Sequence, residues 1–189
     1  MPPEESRRAA LEAARLILIN HGPQAVTLKS VASAIGRTHA NLLHHFGSAA
    51  ELQQALSRYI CDRIIALLSR SVAEFHNGTD AGNIADHISR CTYEAFSKEG
   101  GGPLAAWMIT NGQAHAFQPV LDSIGDVVRE ISERYDTPDH TGVGTAELVL
   151  LAFGHSILGP QLCDALGIDH DVVQKSSQQR IMLGMMELD

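Results

Sequence analysis

Two short helical segments separated by a glycine constrain the fold of this chain more than any other feature. The residues after Thr27 place apolar side chains on one helical face, at Leu28, Val31, Ala32 and Ile35. Gly36 can end that helix, because glycine takes the left-handed backbone conformation at little steric cost. Thr38 can cap a second helix that reaches about Phe46, before Gly47. Two helices joined by such a tight turn form a helix-turn-helix.

The remainder of the chain is also patterned for helices. No stretch alternates apolar and polar residues between turn signals, as strands do. We therefore predict an all-α fold of about nine helices. The long helices are expected over about residues 6–20, 48–75, 145–166 and 171–188. Ser48 and Glu51 form a capping-box pair at the start of the fourth helix.

The balance of charge changes along the chain, whose formal net charge is −8. The first sixty residues hold six basic and four acidic residues, and the rest holds eight basic and 18 acidic residues. A mildly basic end is thus followed by an acidic body. Neutralisation of nucleic-acid phosphates can come only from the N-terminal part.

Motifs for other kinds of chemistry are incomplete. The three cysteines, Cys61, Cys91 and Cys163, form no CxxC pair, so we expect buried thiols rather than a disulfide framework or a zinc site. The ten histidines show no HExxH or Cys/His spacing. The segment 154–159 (GHSILG) is one residue longer than a nucleophile elbow, and no strand precedes it. We therefore expect that the chain is not an enzyme and that it binds neither a metal ion nor a cofactor.

The N-terminus begins Met1-Pro2-Pro3-Glu4-Glu5, which lacks the apolar centre of a signal peptide. Hydrophobic residues make up 44% of the chain, but no uninterrupted apolar run approaches the roughly 20 residues of a membrane span. The expected location is the cytoplasm, without contact to a membrane.

The second helix of the helix-turn-helix carries candidate DNA contacts. Leu42 and Phe46 can anchor one face, because residues at i and i+4 lie together on a helix. The opposite face and its flanks hold Arg37, His39, Ala40, Asn41, His44 and His45. Asparagine can bind adenine with two hydrogen bonds, and arginine can bind guanine or phosphate. A small residue such as Ala40 lets the helix approach the bases closely.

The segment from Thr27 to Phe46 (TLKSVASAIGRTHANLLHHF) resembles the DNA-binding signature of the tetracycline-repressor (TetR) family. It is preceded by the family's ending of helix one, here residues 19–22, and followed by its start of helix four, here residues 48–52. The resemblance covers about the first 55 residues. It implies a helix-turn-helix DNA-binding domain over residues 1–47. It also implies an effector-binding and dimerisation domain over residues 48–189, with helix four as connector.

The resemblance implies a ligand-responsive transcriptional regulator, usually a repressor that a small molecule releases from a palindromic operator. The implied partners are double-stranded DNA, an unidentified small-molecule effector and a second copy of the chain. By position, the base-reading residues would be His39, Ala40, Asn41 and His44. The phosphate or groove contacts would be Thr27, Lys29, Thr38 and His45, and Arg37 joins them as a base or phosphate contact.

Three positions depart from the family pattern. Leu43 stands where tyrosine is usual, His45 where an aromatic residue is frequent, and Ala49 where lysine is usual. A hydroxyl and a positive charge toward phosphate are therefore absent. These departures motivate an alternative, a ligand-binding or protein-interaction module of the same fold that has lost operator binding.

The body carries candidates for the effector site and the dimer interface. Ligand sites are mostly apolar with a few polar groups, which suggests Phe75, Phe96, Trp107, Met108, His115 and Phe117. For each of these residues plain core packing is the alternative. Helices eight and nine are strongly apolar on one side, which favours a two-fold interface, although a monomer could bury the same residues internally.

Overall fold

A computed structural model describes residues 3–73, 81–135, 138–169, 172–173 and 175–176 of the chain. Within these ranges the secondary structure is helical and contains no strand. The eight α-helices are α1 (Pro3–His21), α2 (Leu28–Ala34), α3 (His39–Phe46), α4 (Ala49–Ala73), α5 (Ala81–Tyr93), α6 (Gly101–Thr110), α7 (Gln118–Tyr135) and α8 (Pro138–Leu166). The predicted all-α fold is confirmed. Most of the ninth predicted helix lies outside the described residues.

Short irregular helices connect several of these elements. Pro23–Ala25 and Ala114–Phe117 are 3₁₀ turns, and Glu94–Lys98 is a π-helical turn between α5 and α6. The run Gly100-Gly101-Gly102-Pro103, which by composition predicts a linker, is largely helical, because Gly100 alone makes the turn with φ +91° and α6 begins at Gly101. The expected start of helix eight near residue 145 is wrong. Proline fits the first turn of a helix, and α8 begins at Pro138.

Helix α4 lies at the centre of the molecule. Leu52, Leu56, Ile60 and Ile64 are spaced by four residues and are almost completely buried along one side of it. The helix contacts α1 and α3 toward the N-terminal unit, and α5, α6 and α7 in the body. One hydrophobic core consequently runs from Ala10 in α1 to Ala152 in α8. A change in the tilt of α4 would be felt by both parts of the chain.

Helix α6 packs closely on the inner face of α8. A Cβ atom added at Gly102 would lie 1.9 Å from the Ser156 hydroxyl oxygen and 3.0 Å from the Phe96 carbonyl. A Cβ at Gly101 would lie 2.8 Å from the Ala95 carbonyl. These two positions therefore require glycine.

The outer face of α8 is not covered by any other part of the chain that the structure describes. Large apolar side chains are exposed along it, at Leu150, Leu151, Ile157, Leu158, Leu162 and Leu166. Leu148 instead belongs to the core. The segment from Gly142 to Leu166 is long and apolar enough to cross a membrane, judged by length and composition alone, with a mean hydropathy of 1.4. In the folded chain 22% of this apolar stretch is buried. One such helix does not indicate a membrane protein.

The three cysteines are buried and reduced, as predicted from their spacing. Burial raises the pKa of the Cys61 thiol to about 11, so this thiol is protonated at neutral pH. Among the residues that the structure describes, no three His, Cys, Asp or Glu side chains are grouped as a metal site.

Candidate nucleic-acid interface

Helix α2 begins at a reciprocal cap. The Thr27 hydroxyl accepts a hydrogen bond from the Ser30 amide, and the Ser30 hydroxyl accepts one from the Thr27 amide, each at 3.0 Å. The Ser30 hydroxyl also donates to the Ala25 carbonyl at 2.6 Å. Threonine directly before a helical pattern is typical of a cap, whereas the pattern gives no sign of the part played by Ser30. The two residues fix where α2 begins and leave Lys29 exposed beside them.

The turn between α2 and α3 depends on Gly36, which has φ +64°. The Arg37 amide donates to the Ala32 carbonyl at 2.8 Å across this turn. The Thr38 hydroxyl then accepts from the Asn41 amide at 3.2 Å and caps α3. These bonds set the angle between the two helices by local geometry, as the sequence predicted.

Helix α3 is anchored from below by two apolar side chains and from the side by α1. Leu42 is completely buried and Phe46 is almost so. The guanidinium of Arg7 lies over the Phe46 ring, 4.5 Å from its centre, and donates a hydrogen bond of 2.9 Å to the His45 carbonyl. Arg7 thus holds the C-terminal end of α3 against α1. Its role could not be inferred from sequence spacing.

The opposite face of α3 points to solvent. Arg37, Thr38, His39, Ala40 and His44 are exposed, together with Thr27 and Lys29 near the start of α2. Leu43 belongs to this face too, with 43% of its surface exposed. An apolar side chain there can contact a thymine methyl group. The spacing of four residues from His39 was the available signal for it.

Two of the predicted contact residues are only half-exposed, Asn41 and His45. The side-chain oxygen of Asn41 is shielded from solvent. The ring of His45 lies 5.9 Å from that of His44, centre to centre, and tilted from it. Both residues therefore border the exposed face rather than stand at its middle.

The start of α4 lies directly after α3 and carries its own carboxylate. The Ser48 hydroxyl accepts from the Glu51 amide and donates to Glu51 Oε2, each at 3.2 Å. The Glu51 carboxylate lies so close to Gly47 that a Cβ there would be 2.2 Å from Oε2. A negative charge therefore occupies the helix N-terminus that would otherwise attract a phosphate.

The helix-turn-helix and its supports coincide with a known protein family. Residues 10–56 match the family model described as bacterial regulatory proteins, tetR family. The helix-turn-helix of this chain is therefore of the TetR type. The matched residues include the buried half of α1, all of α2 and α3, and the start of α4.

Curated proteins similar to this chain are transcriptional regulators. The HTH-type transcriptional repressor Rv3405c of Mycobacterium tuberculosis (strain ATCC 25618 / H37Rv) is 24% identical over 166 residues, which cover 88% of this chain and 80% of the relative. The HTH-type transcriptional repressor AcnR of Corynebacterium glutamicum is 32% identical over 69 residues, 36% of this chain and 37% of that protein.

Solved structures share the fold of this chain along nearly its whole length. The fatty acid degradation regulator FadR from Bacillus halodurans superposes with a TM-score of 0.62 at 11% identity, covering 93% of this chain and 97% of FadR. The multidrug binding protein EbrR, solved with imidazole, superposes with a TM-score of 0.58 at 13% identity, covering 94% of this chain and 93% of EbrR. These likenesses extend the family fold to the body.

The residues of the body that the sequence predicts for an effector site are only partly brought together. Phe96, Met108 and Phe117 are buried in the main core, and Trp107 is partly buried against it. His115 lies exposed on the 3₁₀ turn before α7, and Phe75 lies outside the described residues.

Two open grooves lie elsewhere on the described surface. One of about 320 Å³ between α1 and α4 is lined by Glu5, Arg8, Ala9, Glu12, Tyr59 and Arg63. One of about 610 Å³ between α4 and α7 is lined by several polar and acidic residues, among them Asp122, Asp126 and Glu130. Neither groove includes a predicted effector residue.

Proposed function

We propose that this chain is a transcriptional repressor that binds a palindromic operator as a homodimer, through two copies of α3, and is released by a small molecule. The observation that carries the proposal is a short polar helix, exposed along one face and anchored through Leu42, Phe46 and Arg7. A helix of eight residues is too short to be stable alone. Its rigid support gives the exposed face a defined position in a major groove.

The exposed face divides into two kinds of contact in this proposal. His39, Ala40 and His44 stand along the middle of α3 and read base edges, with Asn41 at the border and Leu43 against thymine methyl groups. The phosphate and groove contacts are Thr27, Lys29, Arg37, Thr38 and His45. Phosphate contacts supply affinity and position, whereas base contacts supply sequence preference.

The outer face of α8 supplies the two-fold interface. Leu150 and Leu158 are among its most exposed apolar side chains, and a second copy of α8 would cover them. A two-fold axis presents two α3 helices to half-sites about 34 Å apart. The second copy also accounts for an apolar helix on an otherwise soluble, cytoplasmic regulator.

The effector site in this proposal lies in the body, residues 48–189, next to the core formed by Phe96, Met108 and Phe117, with Trp107 at its edge. Phe75 and His115 complete the predicted set. The DNA-binding domain is residues 1–47, and α4 connects the two functions. An effector acts on operator binding only if its affinity differs between the DNA-bound and released forms.

Fluorescence anisotropy with a labelled duplex tests DNA binding directly. The duplex would be selected from a random-sequence pool by the purified protein. We expect two-fold symmetric sequences to be enriched, and the logarithm of the affinity to fall linearly with the logarithm of salt concentration. Equal affinity for the selected and a scrambled duplex at all salt concentrations would refute the proposal.

A matched pair of substitutions tests the division of labour on α2 and α3. His44→Ala should lower affinity for the selected duplex by about 1–3 kcal/mol, with little change for the scrambled one. Lys29→Ala should weaken both alike and reduce the salt slope by about 1 per half-site. Equal behaviour of the two variants would contradict these roles.

The alternative, a module that has lost operator binding, is not favoured. Leu43 and Ala49 motivated it, yet the caps, the turn and the anchors of α3 are all in place. Its distinguishing result would be a folded dimer that enriches no duplex from the pool.

A further inference from the structure

A cluster of charged side chains joins α1 to the turn that precedes α6. Arg15 of α1 has only 7% of its surface exposed. Its Nε and Nη2 donate to the Glu12 carboxylate at 3.1 and 2.6 Å, and its Nη1 donates to the Lys98 carbonyl. Lys98 is the last residue of the π-helical turn. A buried arginine of the DNA-binding unit is therefore bonded to the backbone of the body.

Helix α4 contributes a second arginine to the same cluster. Arg63 donates from Nε and Nη2 to the Glu99 carboxylate at 2.5 and 2.9 Å, and Arg15 Nη1 lies 3.7 Å from Glu99 Oε2. The Tyr59 hydroxyl donates to Glu12 Oε2 at 3.0 Å. Paired and hydrogen-bonded charges of this kind hold a defined geometry, because breaking one partner leaves the others unsatisfied.

The two carboxylates are ionised at neutral pH. The hydrogen bonds from Arg63 lower the pKa of Glu99 and outweigh the opposing effect of burial. The hydrogen bond from Arg15 likewise lowers the pKa of Glu12. The cluster is thus formed under the conditions in which DNA would be bound.

The same turn faces the core of the body on its other side. Ala95 and Phe96 are buried, and the Phe96 ring meets Phe153 of α8 edge to face, with 6.3 Å between ring centres. Phe96 and Lys98 are two residues apart in one π-helical turn, an irregularity frequent at functional sites. A displacement of the Phe96 backbone would be passed through the same turn to the Lys98 carbonyl and Glu99.

We infer that the segment 94–100 couples the body to the DNA-binding unit, with Glu99 as the positioning residue that holds it to α1 and α4. On α1, Arg15 is bonded to this segment, so a movement of the segment would displace α1. Arg7 on the same helix contacts Phe46 and the end of α3. A ligand that displaces Phe96 therefore acts on α3 through α1 as well as through α4. This inference rests on the proposed function, since it concerns how operator binding is regulated.

Hydrogen exchange measured by mass spectrometry tests the coupling without knowledge of the effector. Coupling between two sites is reciprocal, so DNA bound at α3 must change the body. We expect the selected duplex to slow amide exchange in residues 94–104 of the wild-type dimer by about fivefold or more, the lower end of typical coupling. In Glu99→Gln this DNA-dependent difference should disappear, while anisotropy still records binding to the duplex.

Glu94→Gln is the matched control, because Glu94 lies on the same π-helical turn, is exposed, and takes no part in the cluster. It removes the same charge and should leave the DNA-dependent difference intact. Arg15→Lys keeps its charge but loses the paired donors, and should reproduce the effect of Glu99→Gln. If thermal unfolding shows that Glu99→Gln does not fold, the Arg15→Lys variant alone tests the coupling.

An unchanged DNA-dependent difference in Glu99→Gln or Arg15→Lys, with both bound to DNA, would overturn the coupling and leave the proposed function standing. A change in melting temperature alone would assign Glu99 a merely structural role and would also overturn it. If the wild-type protein enriches no duplex, the proposed function and the coupling fall together.

Discussion

Helices α3 and α8 both expose side chains that the described part of the chain does not pack, but the two surfaces differ in chemistry. The exposed face of α3 carries His39 and His44 beside Ala40 and Leu43, with Arg37 and Thr38 directly before the helix, whereas that of α8 carries leucines and an isoleucine. Helix α3 has eight residues and three anchors, and α8 has 29 residues and packs along its inner face. One surface suits a charged, hydrated partner and the other a copy of itself.

The largest expected effect of a single substitution concerns Leu158, on the outer face of α8. Burying a leucine stabilises by about 1.5–3 kcal/mol, and a two-fold interface counts the residue twice. Leu158→Glu should therefore weaken the dimer by about a hundredfold or more. Sedimentation velocity over a range of concentrations measures this, and Thr110→Glu on the exposed end of α6 is the control. Undiminished dimerisation of Leu158→Glu would mean that the outer face of α8 is not the interface.

Two adjacent leucines of α3 distinguish the buried face of this helix from its exposed face. Leu42 is fully buried and Leu43 is 43% exposed. Leu42→Ala should lower the free energy of unfolding by about 2–5 kcal/mol, because it leaves a cavity. Leu43→Ala should change it by less than about 0.5 kcal/mol and act on DNA affinity instead. Denaturant titration and anisotropy measure the two effects, and equal stability loss would place Leu43 in the core.

Substitutions at two glycines test how closely α6 packs against the inner face of α8. Gly102→Ala places a methyl group against Ser156 and should cost about 1–3 kcal/mol of stability. Gly125→Ala in α7 meets no atom within 4 Å and should instead stabilise by about 0.5–1 kcal/mol. Chemical unfolding of both variants provides the measurement. A neutral Gly102→Ala would show that α6 can move away from α8.

The smallest effects are gains of DNA affinity at the two departures from the family pattern. Ala49→Lys adds a cation at the start of α4 and should steepen the salt dependence by about 0.9 per half-site. Leu43→Tyr adds a neutral hydroxyl toward phosphate and should tighten binding by about 1 kcal/mol with no change in slope. Anisotropy at several salt concentrations separates them. Identical slopes for the two variants would place Ala49 away from the phosphates.

The sequence predicts the N-terminal unit well because its determinants are local. Thr27, Gly36, Thr38 and Gly47 act within a few residues of themselves, so their spacing predicts the caps and the turns. The burial of Leu42 and Phe46 likewise follows from their spacing. The exposure of His39 and His44 follows from the same helical geometry.

The long-range contacts could not be predicted in this way. Arg7 bonds to a carbonyl 38 residues away, and Arg15 to one 83 residues away. Nothing in the local pattern pairs Arg63 with Glu99, although Glu12 and Arg15 stand at the i, i+3 spacing of a helical ion pair. The body is harder to predict for the same reason, since whether Trp107 or His115 faces a ligand depends on how distant helices pack.

The carboxylate of Glu51 at the start of α4 has a further consequence for how such a regulator finds its target. A negative charge beside α3, the helix proposed to read the bases, would repel every duplex by a similar amount, because phosphates are the same in all sequences. Its cost is therefore shared by the operator and by the far more numerous other sites on a chromosome. The ratio of affinities for the operator and for other sites is therefore preserved, while the time spent on incorrect sites is shortened. This favours a rapid search for the operator over tight binding to it.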